Sequence, residues 1–139
     1  MTYPYFNKAQ VTAIYRCLRA LCTHENTTYR SSEEINMLKN SIQYFREYCY
    51  DTRSVDTLER NMLSMSANDS LMILEELDDD KKFFVGNMLI MMTTCDTEFL
   101  QQRAKRLDII LSNIGYYEVQ EKRTQQTNNS SFNISDYFK

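Results

Sequence analysis

Along this chain the apolar residues recur mostly at three- and four-residue steps, the spacing that lays side chains on one face of an α-helix. From Ala9 to Thr23 the positions Val11, Ile14, Tyr15, Leu18, Leu21 and Cys22 predict a first helix with one buried face. The polar stretch His24 to Arg30 breaks the pattern. Ser31 followed by Glu34 is a capping box, in which side chains satisfy the free amides of a helix start. A second helix then runs to about Cys49, with Ile35, Leu38, Ile42, Phe45 and Cys49 inward and Lys39, Gln43 and Arg46 outward. Ser54 to Met65 places Val55, Leu58, Met62 and Met65 on one side of a short helix. Ser66 with Asp69 is a second candidate capping box, and the helix it opens turns Leu71, Leu74 and Leu77 inward.

The pattern changes at Lys81 to Asp96. Between Phe83 and Met92 only Gly86 and Asn87 interrupt a continuous apolar run, so a helix here is apolar on every side and is expected to be enclosed by the others. It is shorter than the roughly 20 apolar residues a bilayer requires, and charged residues Asp78 to Lys82 crowd its start. After a joint near Asp96, the row Leu100, Ala104, Leu107, Leu111 and Ile114 predicts a last helix, with Gly115 as its C-cap. Beyond it, Thr124 to Ser131 carries no apolar side chain and reads as a linker. The segment Phe132 to Lys139 regains apolar character through Phe132, Ile134, Tyr137 and Phe138, a set suited to seating in a groove of its own bundle, of a second copy or of a partner. The expected organisation is a bundle over residues 1–115, followed by a polar linker and tail over 116–139.

With two glycines and one proline in 139 residues, the chain lacks the turn residues of a sheet protein, which strengthens the all-α reading. A formal net charge of -3 argues against a general nucleic-acid or anionic-membrane surface. Cys17, Cys22, Cys49 and Cys95 form no C-x-x-C pair and lie among apolar neighbours, as reduced thiols of a cytoplasmic protein would. The opening residues have neither a basic nor an apolar signal region, so no signal peptide is expected.

The hairpins Ala9–Tyr48 and Lys82–Ile114 share one order: an apolar helix, an acidic joint and an amphipathic helix, as in a diverged duplication. The segment LMILEELDDDKKFFVGNMLIMMTTCDTEFLQQRAKRLDIILSNIG, and more weakly AIYRCLRALCTHE, resembles TerB-like domains, named for tellurite-resistance proteins. The resemblance covers about the first 115 residues. It implies an all-helical bundle of about six helices, with two related helical hairpins around a buried central helix. It also implies acids at the two joints, which in that family have been suggested to bind metal. Here Asp96 stands at the second joint, with Thr97 in place of the usual Gly and Arg103 in place of a later Glu. At the first joint Glu25 and Asn26 replace Asp and Gly, and Glu33 matches the later acid.

No glycine-rich phosphate loop, nucleophile elbow or paired-ligand string occurs. The run Glu75, Glu76, Asp78, Asp79 and Asp80 lacks the spacing of a calcium loop and reads as helix capping. His24, Cys22 and Glu25 read as a polar helix end, and Met88, Met91 and Met92 as core. Arg103, Lys105 and Arg106 read as a solvated outer face. The leading expectation is a non-enzymatic module that binds a protein partner, in a stress-response assembly, with a homo-oligomer through the tail as one form of pairing. The alternative is a divalent-cation site built from Glu25, Glu33, Asp96 and Glu98.

Overall fold

A computed structural model of the chain describes residues 3–50 and 54–129, the last four of these by backbone alone. Among them are seven helices and no strand: α1 (Lys8–Leu21), α2 (Ser32–Tyr48), α3 (Val55–Leu63), α4 (Ala67–Glu75), α5 (Asp79–Thr93), α6 (Leu100–Ile114) and α7 (Tyr116–Asn129). The all-α class expected from the periodicity is therefore present, and no helix among the described residues is long and apolar enough to cross a membrane.

Local chemistry sets the helix starts. Ser31 and Glu34 form the anticipated capping box at α2, while Asn7 and Gln10 form an unanticipated one at α1. Ser66 accepts from the Asp69 amide, and Asp78 caps α5 by accepting from the Lys81 amide at 2.9 Å. Gly115 ends α6 in the left-handed region, φ 80°, which a residue with a Cβ adopts at a cost.

The enclosed helix is α1 rather than α5. Val11, Ala13, Ile14, Tyr15, Cys17, Leu18 and Leu21 are all buried, and α1 packs against α3, α4, α5 and α6. Tyr15 donates its hydroxyl to Glu59 Oε1 at 2.7 Å, and Arg19 Nε donates to the same oxygen at 3.0 Å, which ties α3 to α1. In α5 only Val85, Gly86, Leu89, Met92 and Thr93 are buried, and Met91 is 58% exposed. The expectation of a rod covered on all sides fails because α5 sits at the side of the bundle. Its neighbours α1, α2, α6 and α7 leave one edge open.

Three other inner rows are corrected: in α3, Val55 is exposed, while Leu58 and Met62 are buried as expected. Ile35 of α2 is exposed, while Leu38, Ile42 and Phe45 are buried as expected. In α6, Leu100 and Ala104 are exposed and the buried residues are Arg103, Ile110, Leu111 and Ile114. The ion pairs of Arg103 turn this face of the helix inward. The stretch from Thr124 to Asn129, read as linker, belongs to α7. Tyr116 and Val119 at the start of that helix are buried, and Tyr116 joins the same core as α1 and α5. Along its outer side, Lys122 and Arg123 pair with Asp79 and Asp80 of α5.

Candidate functional site: an ionic cluster where two joints meet

The joint after α1 and the joint after α5 lie against each other. His24 of the first stacks on Phe99 of the second, ring centroids 3.7 Å apart and planes 13° from parallel. Ser31, the N-cap of α2, donates its hydroxyl to Asp96 Oδ2. Behind this contact lies Arg103, a fully buried arginine from the first turns of α6.

Four hydrogen bonds leave the Arg103 guanidinium. Nε donates to the Thr93 carbonyl at 2.9 Å, Nη1 to Glu34 Oε2 at 2.8 Å, and Nη2 to both the Asp96 carbonyl at 2.9 Å and Asp96 Oδ1. The Thr93 and Asp96 carbonyls belong to the end of α5 and the joint after it, where backbone acceptors lack helical partners. One side chain therefore closes the α5–α6 joint and bridges it to α2.

Glu34 is fully buried and each of its oxygens is engaged. Oε1 accepts from the Ser31 amide at 2.9 Å in the capping box, and Oε2 accepts from Arg103 and lies 2.7 Å from His24 Nε2. A carboxylate only accepts, so Nε2–H is the donor in this contact. His24 Nδ1 is buried without a hydrogen-bond partner among the described residues.

The electrostatics follow from this packing. Burial works against ionisation of Asp96, but the Ser31 hydroxyl and the Arg103 guanidinium outweigh it and hold the carboxyl below its usual value. Burial likewise works against the charge on Arg103, and the hydrogen bond and charge of Asp96, with help from Glu34, more than offset it. Desolvating such a group costs several kcal/mol, which is returned only when its hydrogen bonds are well satisfied. With four bonds made, Arg103 meets that condition.

This arrangement is a closed latch. The Ser31 hydroxyl faces Asp96, whose carboxylate is already engaged by Arg103, rather than the His24 imidazole. Of the four acids predicted for a cation, only Asp96 enters the cluster. Glu25, Glu33 and Glu98 are exposed, and Glu98 contributes only its amide, to Asp96 Oδ1 at 3.1 Å. Among the described residues no three His, Cys, Asp or Glu side chains gather so as to hold a metal ion. The guanidinium lies between the acids where a cation would have to sit. The inward glutamate is Glu34, and its position three residues after the Ser31 N-cap already aims its side chain back at the joint.

Arg103 was assigned to an outer basic face, and the structure reverses that. Spacing carries the missed signal: Arg103, Leu107, Ile110 and Ile114 recur at four- and three-residue steps, the row that the helix buries or half-buries. Arg106 of the same basic run is half-buried and donates to the Ala20 carbonyl at 3.1 Å and to the Thr23 carbonyl, so it caps the end of α1. The methionines divide as well, with Met92 buried and Met91 exposed. All four cysteines are free; burial pushes the Cys17 thiol up to about 12 and the Cys22 thiol up to about 11. The tail residues Phe132, Ile134, Tyr137 and Phe138 lie outside the described residues.

Compared with protein-family models, with curated proteins and with solved structures, the chain finds no match.

Proposed function

We propose that the chain is a non-enzymatic helical module of the TerB-like type, which works in the cytoplasm by binding another protein in a stress-response assembly. The observation that supports this reading is the way the polar residues of the two joints are used. Ser31, Glu34, Asp96 and Arg103 satisfy one another, so within this cluster no carboxylate pair or hydroxyl is left free. A fold whose buried ionic cluster at the joints is consumed in holding two hairpins together has its surface left for recognition.

The meeting of the joints also supports the duplicated architecture implied by the TerB resemblance. Glu34 stands at the third position of α2 and Arg103 at the fourth position of α6, so nearly matching positions of the two hairpins face each other with opposite charge. In this reading a base has replaced the second half's acid, and a latch between the halves stands where the family's acids would face a cation.

Reciprocal affinity capture tests the proposal. The full chain, tagged at its native level in its own cells, is expected to recover a partner that recovers it in return and co-sediments with it at a fixed ratio. If the chain sediments alone from native extract and no reciprocal pair emerges, the reading is abandoned.

A further inference from the structure

Away from the latch, α1, α4 and α6 enclose a groove of about 540 Å³ with a largely apolar lining. Ala20 of α1, Leu71 of α4 and Ile110 of α6 contribute to that lining, and Ile109, 60% exposed, stands at its edge. Arg16 and Arg106 also line it, and no carboxylate does.

The charges at this groove are unevenly compensated. Arg19 is neutralised by Glu59, through Nε at 3.0 Å and Nη2 at 3.4 Å. Arg16 donates only to the Met62 carbonyl at 3.4 Å, and Arg106 only to the Ala20 and Thr23 carbonyls at the end of α1 and just beyond it; neither has a carboxylate partner among the described residues. Two guanidiniums bonded only to carbonyls at helix ends, and to no carboxylate among the described residues, thus stand over an apolar floor on a chain whose net charge is -3.

From this geometry we infer that the groove is the docking site for an acidic amphipathic helix of another protein, an inference that rests on the interaction-module reading above. Charge complementarity fixes the sign, since a guanidinium presents a planar fork that carboxylates fit and steers an oppositely charged partner inward. Openness decides between a peptide and a small amphiphile. A small-molecule site encloses some 70–90% of its ligand, whereas Ala20, Thr23 and Ala67 as well as Ile109 are exposed along this groove. From Arg16 to Thr23 the lining follows about two turns of α1, roughly 10 Å, which matches the reach of i, i+4 and i+7 anchors on a docked helix.

The test uses the full chain and a labelled synthetic peptide of about 16 residues, with Leu at i, i+4, i+7 and i+11 and Glu on the flanking positions. Fluorescence anisotropy is expected to show saturable binding, weakened about tenfold or more by Arg16→Glu and by Ile109→Ser. Ile109 is 60% exposed, so the melting temperature of Ile109→Ser should hold; Arg16 is half-buried with one long bond to the Met62 carbonyl, so that of Arg16→Glu should fall by no more than a few degrees. A peptide with Lys in place of Glu should recover binding to Arg16→Glu while binding the parent chain poorly. Three results would overturn the inference: a scrambled peptide binding equally well, indifference to Arg16→Glu, or tight binding of a medium-chain fatty-acid anion without peptide binding. If a reciprocally captured partner still binds Arg16→Glu unchanged, the module reading stands and this surface is wrong.

Discussion

Tyr116 packs directly on the backbone of Gly86, so close that a Cβ on the glycine would fall 2.0 Å from the ring's Cδ2 and 2.9 Å from its Cγ. The glycine is in mid-helix and serves close approach, not a turn. The Tyr116 hydroxyl donates to Asn87 Oδ1 at 2.8 Å, and its ring stacks on Phe83 with planes 6° apart. Through this contact α7 joins the core.

Gly86→Ala is therefore expected to destabilise the chain even though alanine favours helix by about 1 kcal/mol. The added methyl displaces the whole ring, and losing a buried aromatic costs about 3–5 kcal/mol, for a net loss of about 2–4 kcal/mol. Urea denaturation measures it, with hydrogen exchange locating the damage in α7. In a Tyr116→Ala background the same Gly86→Ala change should reverse sign and stabilise by up to about 1 kcal/mol. A cost that persists in that background would disprove the steric account.

Arg103→Met should cost about 3–5 kcal/mol, because it leaves the Glu34 and Asp96 carboxylates beside an uncharged side chain. Adding Glu34→Gln should return part of that loss, since one stranded charge is then gone. Thermal melts of the single and double variants check the order. Arg103→Lys should remain well below the parent, because an ammonium cannot make the forked contacts to Thr93, Glu34 and Asp96 together.

Acid titration gives a prediction with a definite sign. The Asp96 carboxyl is held below its unfolded value, so as pH falls the unfolded chain takes up this proton first. Its contribution is full above the unfolded carboxyl value of about 3.9 and is lost as pH falls through the lower folded value. Asp96→Asn is expected to be less stable at pH 7 and to show a shallower decline between pH 5 and the acid limit. Urea midpoints measured across that range decide it; parallel curves for parent and variant would contradict the assignment.

Isothermal titration of the full chain with calcium, magnesium, manganese and zinc should give no heat that depends on Asp96. A cation there would have to displace the Arg103 guanidinium and break four hydrogen bonds. A millimolar or tighter site abolished by Asp96→Asn would restore the cation reading.

Much of the helical frame was readable from residue spacing and caps. Ser31 with Glu34, Asp78 and Gly115 mark boundaries that short-range hydrogen bonding alone determines. Enclosure was not readable in that way. Phe83 to Met92 has no polar face to oppose an apolar one, and its depth depends on neighbours that arrive from elsewhere in the chain. The site was legible at one end only. Glu34 is aimed by its own capping box, but the burial of Arg103 depends on acceptors at Glu34, Thr93 and Asp96 that no local rule brings together. Helix α7 was missed because its polar stretch has no amphipathic signal, while its anchorage lies in Tyr116, Val119 and the pairs of Lys122 and Arg123 with α5.

Glu34 and Arg103 are 69 residues apart in the chain, and Ser31 and Asp96 are 65 apart. Cleavage of the chain between α2 and α3 would give two fragments, each holding one pole of the Glu34–Arg103 pair and lacking the other. The first piece keeps Glu34 without the Arg103 guanidinium, and the second keeps Arg103 with Asp96 but without the Glu34 carboxylate and the Ser31 hydroxyl, so the first and last thirds of the molecule should melt as one cooperative unit, with a single calorimetric transition.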